Sequence, residues 1–526
     1  METNRDIAFY GREEELSCLQ DLWEKSGPSL VICSGRRRIG KSTLIEQFAL
    51  RSKCRFIELV GLPPDEGISN EVQLKNFCER LAVETGTKEI SADCWPKAFD
   101  AVDKRLGRAG RTLVFLDEIS WMGAYDKGFA GYLKNAWDTQ FSKHRQLIVV
   151  VCGSVSSWIR KNILKSKGFV GRMSLELNIE ELPLPQCRAF WGAAAGRTST
   201  SEILDVLSVT GGVPKYLGEI KAKYSAAENI RRMCFMPQGY LFKDFDRIFT
   251  DIFRKTASEK KDIVTCIAEQ PRSLKEIGEK LATEPNGHLS EALDDLVQAG
   301  FVSVDRGINP ATGRKVRAVR YRISDNYLRF FLKFVSPRSD AIGKGLFRFA
   351  SLEQLPGWEG ILSLQFENLV RNNLALLIPR LGLQNSLITS AAPYSIAGSK
   401  EKPGLQVDLL IQTRKSICVV EIKRKALIDE SIEDEVAQKI VRMGLPANKS
   451  VKTALVYFGR LSPQLVEDGY FDTMINIEEM LYKSELTRDG FATPSRRFHN
   501  PSETSRSSGC VPFYCPGLIP PSGQRR

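Results

Sequence analysis

Several features that would point to membrane, secreted or zinc-binding proteins are missing from this sequence of 526 residues. No apolar run approaches the ~20 residues that a helix needs to cross a bilayer. The first residues, Met-Glu-Thr-Asn-Arg-Asp, lack the apolar core of a signal peptide. The twelve cysteines never form a C-x-x-C pair, so neither a zinc ribbon nor a disulfide framework is predicted. We therefore expect a cytoplasmic protein without membrane contact.

Histidine is also scarce, with only His144, His288 and His499 in the whole chain. A metal site must then depend on carboxylates, which favours Mg²⁺ or Mn²⁺ over Zn²⁺. The net charge is +12, which favours polyanionic partners. The hydrophobic content of 42% and the charged content of 26% are typical of soluble globular proteins.

The most informative segment is G-x-x-x-x-G-K-S at residues 35–42, which follows the apolar stretch 30–33 and precedes an amphipathic helix starting near Lys41. Such glycines let several backbone N–H groups converge, and the helix N-terminus adds partial positive charge, so the segment predicts a phosphate-binding loop for ATP. Lys41 is expected to reach the β- and γ-phosphates, and the Ser42 hydroxyl to bind Mg²⁺. The predicted contacts from this segment are Gly35, Arg36, Arg37, Arg38, Ile39, Gly40, Lys41, Ser42 and Thr43.

Two further apolar strands end in polar residues. Residues 112–116 lead into Asp117 and Glu118, and residues 147–151 lead into Cys152-Gly153-Ser154. We expect Asp117 to hold Mg²⁺ through water, Glu118 to polarise the attacking water and Ser154 to sense the γ-phosphate. Two acids after a strand could instead cap the next helix. Strands without alternation indicate a parallel sheet covered on both faces, with ligands at the carboxyl ends of its strands.

These residues resemble the AAA+ and STAND-related P-loop class, and more narrowly the archaeal-type ATPases. Three further motifs carry the resemblance: residues 9–13 followed by Glu15-Leu16, then Gly171-Arg172, then residues 210–216. The resemblance spans about residues 5–480. It implies that Gly11 and Arg12 lie near the adenine and that Pro214 contacts the nucleotide from a helical lid. It also implies that Arg172 stabilises the γ-phosphate, either within the chain or from a neighbouring subunit of a homo-oligomer. A structural salt bridge is the alternative for Arg172.

The middle of the chain predicts a winged helix-turn-helix. Three short helices, at about 260–269, 273–282 and 289–299, precede a hairpin of residues 301–304 and 316–323. The third helix carries Glu291, Asp294 and Asp295, which oppose a phosphate backbone. The hairpin is basic, with Arg306, Arg314, Lys315, Arg317, Arg320 and Arg322. Either this wing contacts DNA phosphates, or the module relays nucleotide state between domains.

The C-terminal third contains two apolar strands, 407–411 and 417–423, joined by a turn centred on Arg414-Lys415. This spacing places Asp408 opposite Glu421, with Lys423 on the same face as Glu421. Two facing carboxylates are unfavourable unless a cation binds between them. A Mg²⁺ or Mn²⁺ ion there, with Lys423 steadying the reacting phosphate, would make a hydrolytic site.

This D…E-x-K arrangement resembles the restriction-endonuclease-like nuclease core over about residues 355–480. The resemblance implies that Glu367 supplies an additional acid to the metal site and that Gln438 is an accessory polar residue. It also allows a fold retained as a binding or docking element without nuclease activity.

The sequence as a whole therefore predicts an α/β multidomain protein. Its expected parts are the P-loop core (1–180), a helical lid (181–254), the winged helix (255–335), the nuclease-like domain (336–483) and a disordered Pro/Ser/Gly/Arg-rich tail (484–526). The leading hypothesis is an ATPase that acts on DNA and cleaves phosphodiester bonds. The alternatives are a nucleotide switch with an inactive nuclease fold, or an oligomerising motor or scaffold.

Overall fold

The structure is a computed structural model of the chain. It describes residues 9–25, 27–107, 110–154, 157–253, 256–315, 319–348, 351–396 and 404–482. The predicted tail and residues 316–318 of the predicted hairpin lie outside these ranges. Within them, no helix combines the length and apolar character needed to cross a membrane.

The N-terminal part is a five-stranded parallel sheet with helices around it, as the unbroken apolar strands predict. The strands run in the order β2-β3-β4-β1-β5, and every neighbouring pair is parallel. All residues of β1 and β3 are buried, which explains why these strands lack polar alternation. Its elements are α1 (Glu13–Glu24), β1 (Ser29–Gly35), α2 (Lys41–Ser52), β2 (Arg55–Val60), α3 (Asn70–Thr85), α4 (Trp95–Asp103), β3 (Thr112–Asp117), α5 (Ile119–Met122), α6 (Phe129–Thr139), β4 (Leu147–Ser154), α7 (Ser157–Ile159) and β5 (Met173–Ile179).

A helical segment follows and packs against the carboxyl edge of this sheet. Two of its helices begin after a serine whose side chain satisfies a free backbone N–H group. Ser199, for example, accepts from the N–H of Glu202. The helices are α8 (Leu184–Cys187), α9 (Thr200–Thr210), α10 (Pro214–Leu217), α11 (Ala226–Cys234) and α12 (Tyr240–Phe253).

A small module of helices and strands comes next. Ser273 and Glu276 form a reciprocal capping box that fixes the start of its second helix. Its three strands pair antiparallel in the order β6-β8-β7. The helices lie within a few residues of their predicted spans. The elements are α13 (Ala257–Ile267), β6 (Arg272–Ser273), α14 (Leu274–Lys280), α15 (Gly287–Gln298), β7 (Val302–Asp305) and β8 (Arg320–Ile323).

The C-terminal part is a five-stranded mixed sheet between helices. Strands β9, β10 and β11 pair antiparallel, whereas β11, β12 and β13 pair parallel. One face packs against α18 and the other against α20. The elements are α16 (Asn326–Phe330), α17 (Ser339–Gly343), α18 (Trp358–Arg371), α19 (Leu374–Arg380), β9 (Ile388–Ile396), β10 (Leu405–Thr413), β11 (Ser416–Ile428), α20 (Ser431–Met443), β12 (Ser450–Leu461), α21 (Pro463–Glu467), β13 (Thr473–Asn476) and α22 (Glu478–Leu481).

Buried polar side chains join these parts at α16. Arg329 donates to Gln365 Oε1 at 2.9 Å, and Gln365 donates to the carbonyl oxygen of Asn326 at 2.6 Å. Asn326 in turn donates to the carbonyl oxygen of Leu207 in α9 at 3.2 Å. Burial lowers the pKa of Arg329 to about 9. The hydrogen bonds offset the cost of burying these groups and fix α9, α16 and α18 relative to one another.

Candidate active sites

The loop between β1 and α2 curls tightly because of its two glycines. Gly35 has φ +155°, and a Cβ there would lie 2.4 Å from the carbonyl oxygen of Ile179, so no side chain fits. Gly40 has φ +88°, which favours glycine for conformational reasons. Arg38 also adopts a positive φ, 69°, at the crest of the loop. The curled loop therefore leads directly into the N-terminus of α2, where backbone N–H groups can bind an anion.

Lys41, Ser42 and Asp117 meet at the carboxyl edge of the sheet. Lys41 Nζ donates to the carbonyl oxygens of Gly35 and Arg36 at 3.1 Å each. Ser42 Oγ donates to Asp117 Oδ2 at 2.6 Å. The hydroxyl and carboxylate oxygens thus lie close together. Oxygen atoms are the ligands that Mg²⁺ prefers.

A cavity of ≈ 730 Å³ opens above this loop. One end is polar and includes Asp117 and Glu118, whereas the other is apolar and includes Tyr10 and Phe190, whose rings meet edge to face at 4.8 Å. A phosphate chain suits the first end and a planar base suits the second. The predicted nucleotide contacts that line it are Arg12, Arg37, Arg38, Ile39, Gly40, Lys41, Ser42, Thr43 and Pro214.

The other predicted contacts, Gly11, Gly35 and Arg36, do not line this cavity. Gly35 and Arg36 line a separate cavity of ≈ 280 Å³ on the opposite side of the loop. Gly11 has φ +73° and precedes Arg12, which also has a positive φ. Arg12 is buried and donates to the carbonyl oxygens of Ile39, at 3.3 Å, and Glu180, at 2.6 Å. Arg12 therefore ties the start of the chain to the phosphate loop.

Arg36 connects the loop to the rest of the molecule. It pairs with Glu181 at 2.9 Å and with Asp325, which precedes α16. Glu181 also accepts from the backbone N–H of Gly212 at 3.0 Å, so it joins the loop to the turn before Pro214. The phosphate-loop motif predicts Arg36 only as a nucleotide contact, whereas its pairs with Glu181 and Asp325 depend on tertiary packing.

Ser154 and Arg172 occupy different positions relative to this site. The backbone of Ser154 ends β4 opposite Gly35, next to the loop. Arg172 lies outside the cavity and pairs with Asp138 through two hydrogen bonds, of 2.6 and 2.9 Å. Arg172 and Lys134 lower the pKa of Asp138 to about 2. Within one chain, Arg172 therefore forms a structural salt bridge, which is the alternative role predicted for it.

The second candidate site lies on the hairpin of β10 and β11. Its strands pair in the predicted register, with Leu409 opposite Val420. Asp408 and Glu421 are 7% and 1% exposed, and Asp408 Oδ2 accepts from the N–H of Ile422 at 2.9 Å. Lys423 Nζ lies 2.7 Å from Glu421 Oε1. The two acids and the lysine are therefore assembled as the spacing predicts.

Sequence reasoning missed Lys439, on α20. Its ammonium group contacts both oxygens of Glu421, at 2.8 and 2.9 Å, and Glu435 at 2.6 Å. Its neighbour Gln438, the predicted accessory residue, is exposed instead. The i, i+4 spacing of Glu435 and Lys439 was visible in the sequence, but the contact with Glu421 depends on how α20 packs on the sheet.

The electrostatics of this site reflect burial and like charge. Burial and the nearby Glu367 raise the pKa of Asp408 to about 6. Burial, and to a smaller extent the negative charge of Asp408, raises the pKa of Glu421. Burial also raises the pKa of Glu367. Glu367 pairs with Arg371 at 2.9 Å, and Arg371 Nε donates to the carbonyl oxygen of Asp408 at 3.0 Å.

A metal ion would have to share Glu421 with two ammonium groups. In the part of the chain that the structure describes, no group of three or more His, Cys, Asp or Glu residues is arranged to hold a metal ion. The donors available are oxygens of the Asp408 and Glu421 carboxylates, which suit Mg²⁺ or Mn²⁺. In this structure the ammonium groups of Lys423 and Lys439 form ion pairs with the Glu421 carboxylate.

Comparison with known proteins agrees with the geometry of the first site. Residues 9–220 match the profile of a family described as an ATPase domain predominantly from Archaea. An uncharacterized protein of Methanocaldococcus jannaschii is 21% identical over 430 residues, which are 81% of this chain and 89% of that protein. An uncharacterized ATP-binding protein of the same organism is 39% identical over 49 residues, 9% of this chain and 83% of that protein.

Among solved structures, the Walker-type ATPase of Pyrococcus abyssi is similar to this chain, with a TM-score of 0.47 and 17% identity. The similarity covers 62% of this chain and 96% of that protein. The family match covers the sheet, the phosphate loop and the turn at Pro214, which are the elements that build the cavity. Residues 9–220 are thus similar to an ATPase domain over the elements that build this cavity, which supports ATP binding and hydrolysis at this site.

Proposed function

We propose that this chain is an ATPase that acts on DNA and cleaves phosphodiester bonds at the hairpin site. The observation that carries the proposal is the buried pair of Asp408 and Glu421 with the half-buried Lys423 beside it, in a chain whose residues 9–220 match an ATPase domain. Two carboxylates and a lysine on adjacent strands supply the groups that metal-dependent phosphodiester hydrolysis needs.

At the ATPase site, each residue has a distinct proposed role. Lys41 binds the β- and γ-phosphates, which replace the carbonyl oxygens that it now contacts. Ser42 and Asp117 hold Mg²⁺, which would neutralise charge on the transferred phosphoryl group. Glu118 orients the attacking water from the wall of the same cavity.

The small module is proposed to be a winged helix that contacts DNA through its wing. Arg306, Arg314 and Lys315 are exposed and are available for phosphate contacts. Two of the predicted basic residues do not fit this role. Arg322 is buried against Asp305, and Arg320 pairs with Glu276. Arg317 lies outside the described residues.

The proposed recognition helix, α15, is less suited to enter a groove. Its Glu291 and Asp294 are exposed acids, and Asp294 lies 3.8 Å from Arg160 of the ATPase domain. DNA contact is therefore proposed for the wing, with α15 facing the ATPase domain.

The C-terminal topology supports a nuclease-like core. A helix (α18) precedes an antiparallel meander (β9 to β11), after which α20 leads to the parallel strand β12. Asp408 and Glu421, with Glu367 nearby, would hold Mg²⁺ or Mn²⁺. Lys423 would steady the charge that develops on the reacting phosphate.

The deciding experiment measures nicking of supercoiled plasmid and cutting of single-stranded DNA. The reactions contain Mg²⁺ or Mn²⁺, with and without ATP, and compare the wild type with Glu421→Gln and Lys425→Ala. Lys425 is an exposed residue on the same strand and serves as the matched control. Cleavage that persists in Lys425→Ala and disappears in Glu421→Gln would support the proposal. Equal cleavage by all three proteins, or none by any, would refute it.

One observation favours a second function, a nucleotide-driven switch or scaffold with an inactive C-terminal domain. Lys439 contacts both oxygens of Glu421, as an ammonium group would if it replaced the metal permanently. For an oligomeric scaffold, Arg172 and its partner Asp138 lie near the surface and could face a neighbouring subunit. Light scattering with and without ATP and Mg²⁺, for the wild type and Arg172→Ala, tests that assembly.

A further inference from the structure

The phosphate loop is connected to α12 by two consecutive arginines. Arg37 pairs with Asp251 at 2.9 Å, and Arg38 pairs with Asp244. The two acids are seven residues apart on α12, so they lie on the same face of that helix. The pairs differ in burial. Asp244 is fully buried, whereas the side chain of Asp251 is 41% exposed.

Asp244 depends on few partners for a buried carboxylate. Its Oδ2 accepts from the Tyr216 hydroxyl at 3.1 Å and also meets Arg38. Its Oδ1 has no hydrogen-bond partner among the residues that the structure describes. A buried carboxylate is strongly destabilising once its cation is withdrawn. Arg38 is therefore the main stabiliser of Asp244 in this position.

Arg38 also belongs to the nucleotide cavity. It lines that cavity together with Tyr240, the first residue of α12. Its guanidinium group lies 5.6 Å from the centre of the Tyr240 ring, and Lys215 Nζ lies 5.0 Å from the same ring. A triphosphate in the loop would place several negative charges beside Arg38. Nucleotide phosphates and Asp244 are then alternative anionic partners for one cation.

We infer that Asp244 is a positioning residue of the nucleotide site, which competes with nucleotide phosphates for Arg38. When Arg38 turns to a phosphate, Asp244 loses its cation and the packing of α12 weakens. Since α12 leads directly to the small module, nucleotide binding loosens the connection between the ATPase domain and that module. The coupling is reciprocal, so a docked α12 lowers nucleotide affinity. This inference rests on nucleotide binding at the loop and is independent of nuclease activity.

The first test measures binding of ATPγS with Mg²⁺ to the full chain by calorimetry. Asp244→Asn removes the competing charge but keeps an acceptor for Tyr216. It should tighten binding about tenfold, the scale of one charge-assisted hydrogen bond. The matched variant Asp251→Asn lies on the same helix face and should change binding by less than about threefold, because its pair with Arg37 is partly exposed. Equal or weaker binding by a folded Asp244→Asn protein would overturn the inference.

The second test follows hydrogen exchange of residues 240–253 and does not depend on a variant at Asp244. In the wild type, ATPγS with Mg²⁺ should speed exchange in this helix, and in Arg38→Gln it should not. Slower or unchanged exchange in a nucleotide-saturated wild type would refute the inference even if Asp244→Asn failed to fold. Failure of the wild type to bind nucleotide at all would instead refute the ATPase assignment, and the inference with it.

Discussion

The pair of Arg36 and Asp325 offers a sharp test of how the domains are held together. Their side chains are 6% and 1% exposed, and the residues are 289 positions apart in the chain. Asp325 Oδ1 also caps α16 by accepting from the N–H of Leu328 at 3.1 Å. Replacing Asp325 with alanine therefore removes both a buried charge and a helix cap.

The expected cost follows from these two contributions. Breaking a buried ion pair costs ~3–5 kcal/mol, and losing a cap costs ~1 kcal/mol. Arg36 keeps Glu181 as a partner at 2.9 Å, so we expect a total of about 3 kcal/mol for Asp325→Ala. At ~2–4 °C per kcal/mol for domains of this size, the transition that includes the ATPase domain should fall by about 6–12 °C.

Differential scanning calorimetry on the full chain measures this shift. Asp325→Asn retains the cap and loses the charge, so it should be more stable than Asp325→Ala by ~1 kcal/mol. Asp251→Ala removes a partly exposed pair and should cost less than ~1 kcal/mol. A shift below 2 °C for Asp325→Ala, or equal effects at Asp325 and Asp251, would refute the proposed role of this pair.

Three further predictions concern the two sites. Lys41→Ala should reduce ATP hydrolysis by at least about 100-fold in a phosphate-release assay, because Lys41 is the ammonium group that meets the phosphates; a loss under tenfold would contradict this. The pKa of Asp408 is raised to about 6 in the folded chain from an ordinary 3.8. The folded state therefore binds this proton more tightly than the unfolded state, and stability should rise as pH falls through about 6 towards 4. Hydrogen exchange of β10 and β11 should be slower at pH 5 than at pH 7.5 after correction for intrinsic rates, and Asp408→Asn should reduce that difference, while Glu421 and Glu367, whose pKa values are also raised, keep part of it. Lys439→Ala should strengthen Mn²⁺ binding about tenfold in calorimetry, since it frees both oxygens of Glu421; Lys425→Ala should leave it unchanged, and equal affinities for all three proteins would show that Lys439 does not compete with the metal.

Much of the fold could be predicted because local patterns were strong. Apolar strands at 30–33, 112–116 and 147–151 lie in the parallel sheet, and the helix predicted from Lys41 begins at that residue. The hairpin register also followed from the sequence, because a short turn leaves few ways to pair its two strands. The order of strands in the C-terminal sheet could not be predicted, because the pairing of strands that are distant in the chain depends on tertiary packing.

The candidate sites divide in the same way. Lys41, Ser42, Asp117 and Glu118 reach one cavity because carboxyl ends of parallel strands meet at one edge of a sheet. Arg322 was predicted to contact DNA from the wing, but it is buried against Asp305. Strand alternation cannot show which face of a small module another domain will cover.

The sequence alone determined the chemistry of the phosphate loop and the placement of Asp408 opposite Glu421, because contiguous residues and a short turn set both. Only the tertiary structure decided that Arg36 meets Asp325, that Arg38 meets Asp244 and that Lys439 meets Glu421. Each of these pairs joins separate elements whose relative position depends on how their apolar faces pack. Local periodicity specifies which faces are buried, but it does not specify which charged groups those faces bring together.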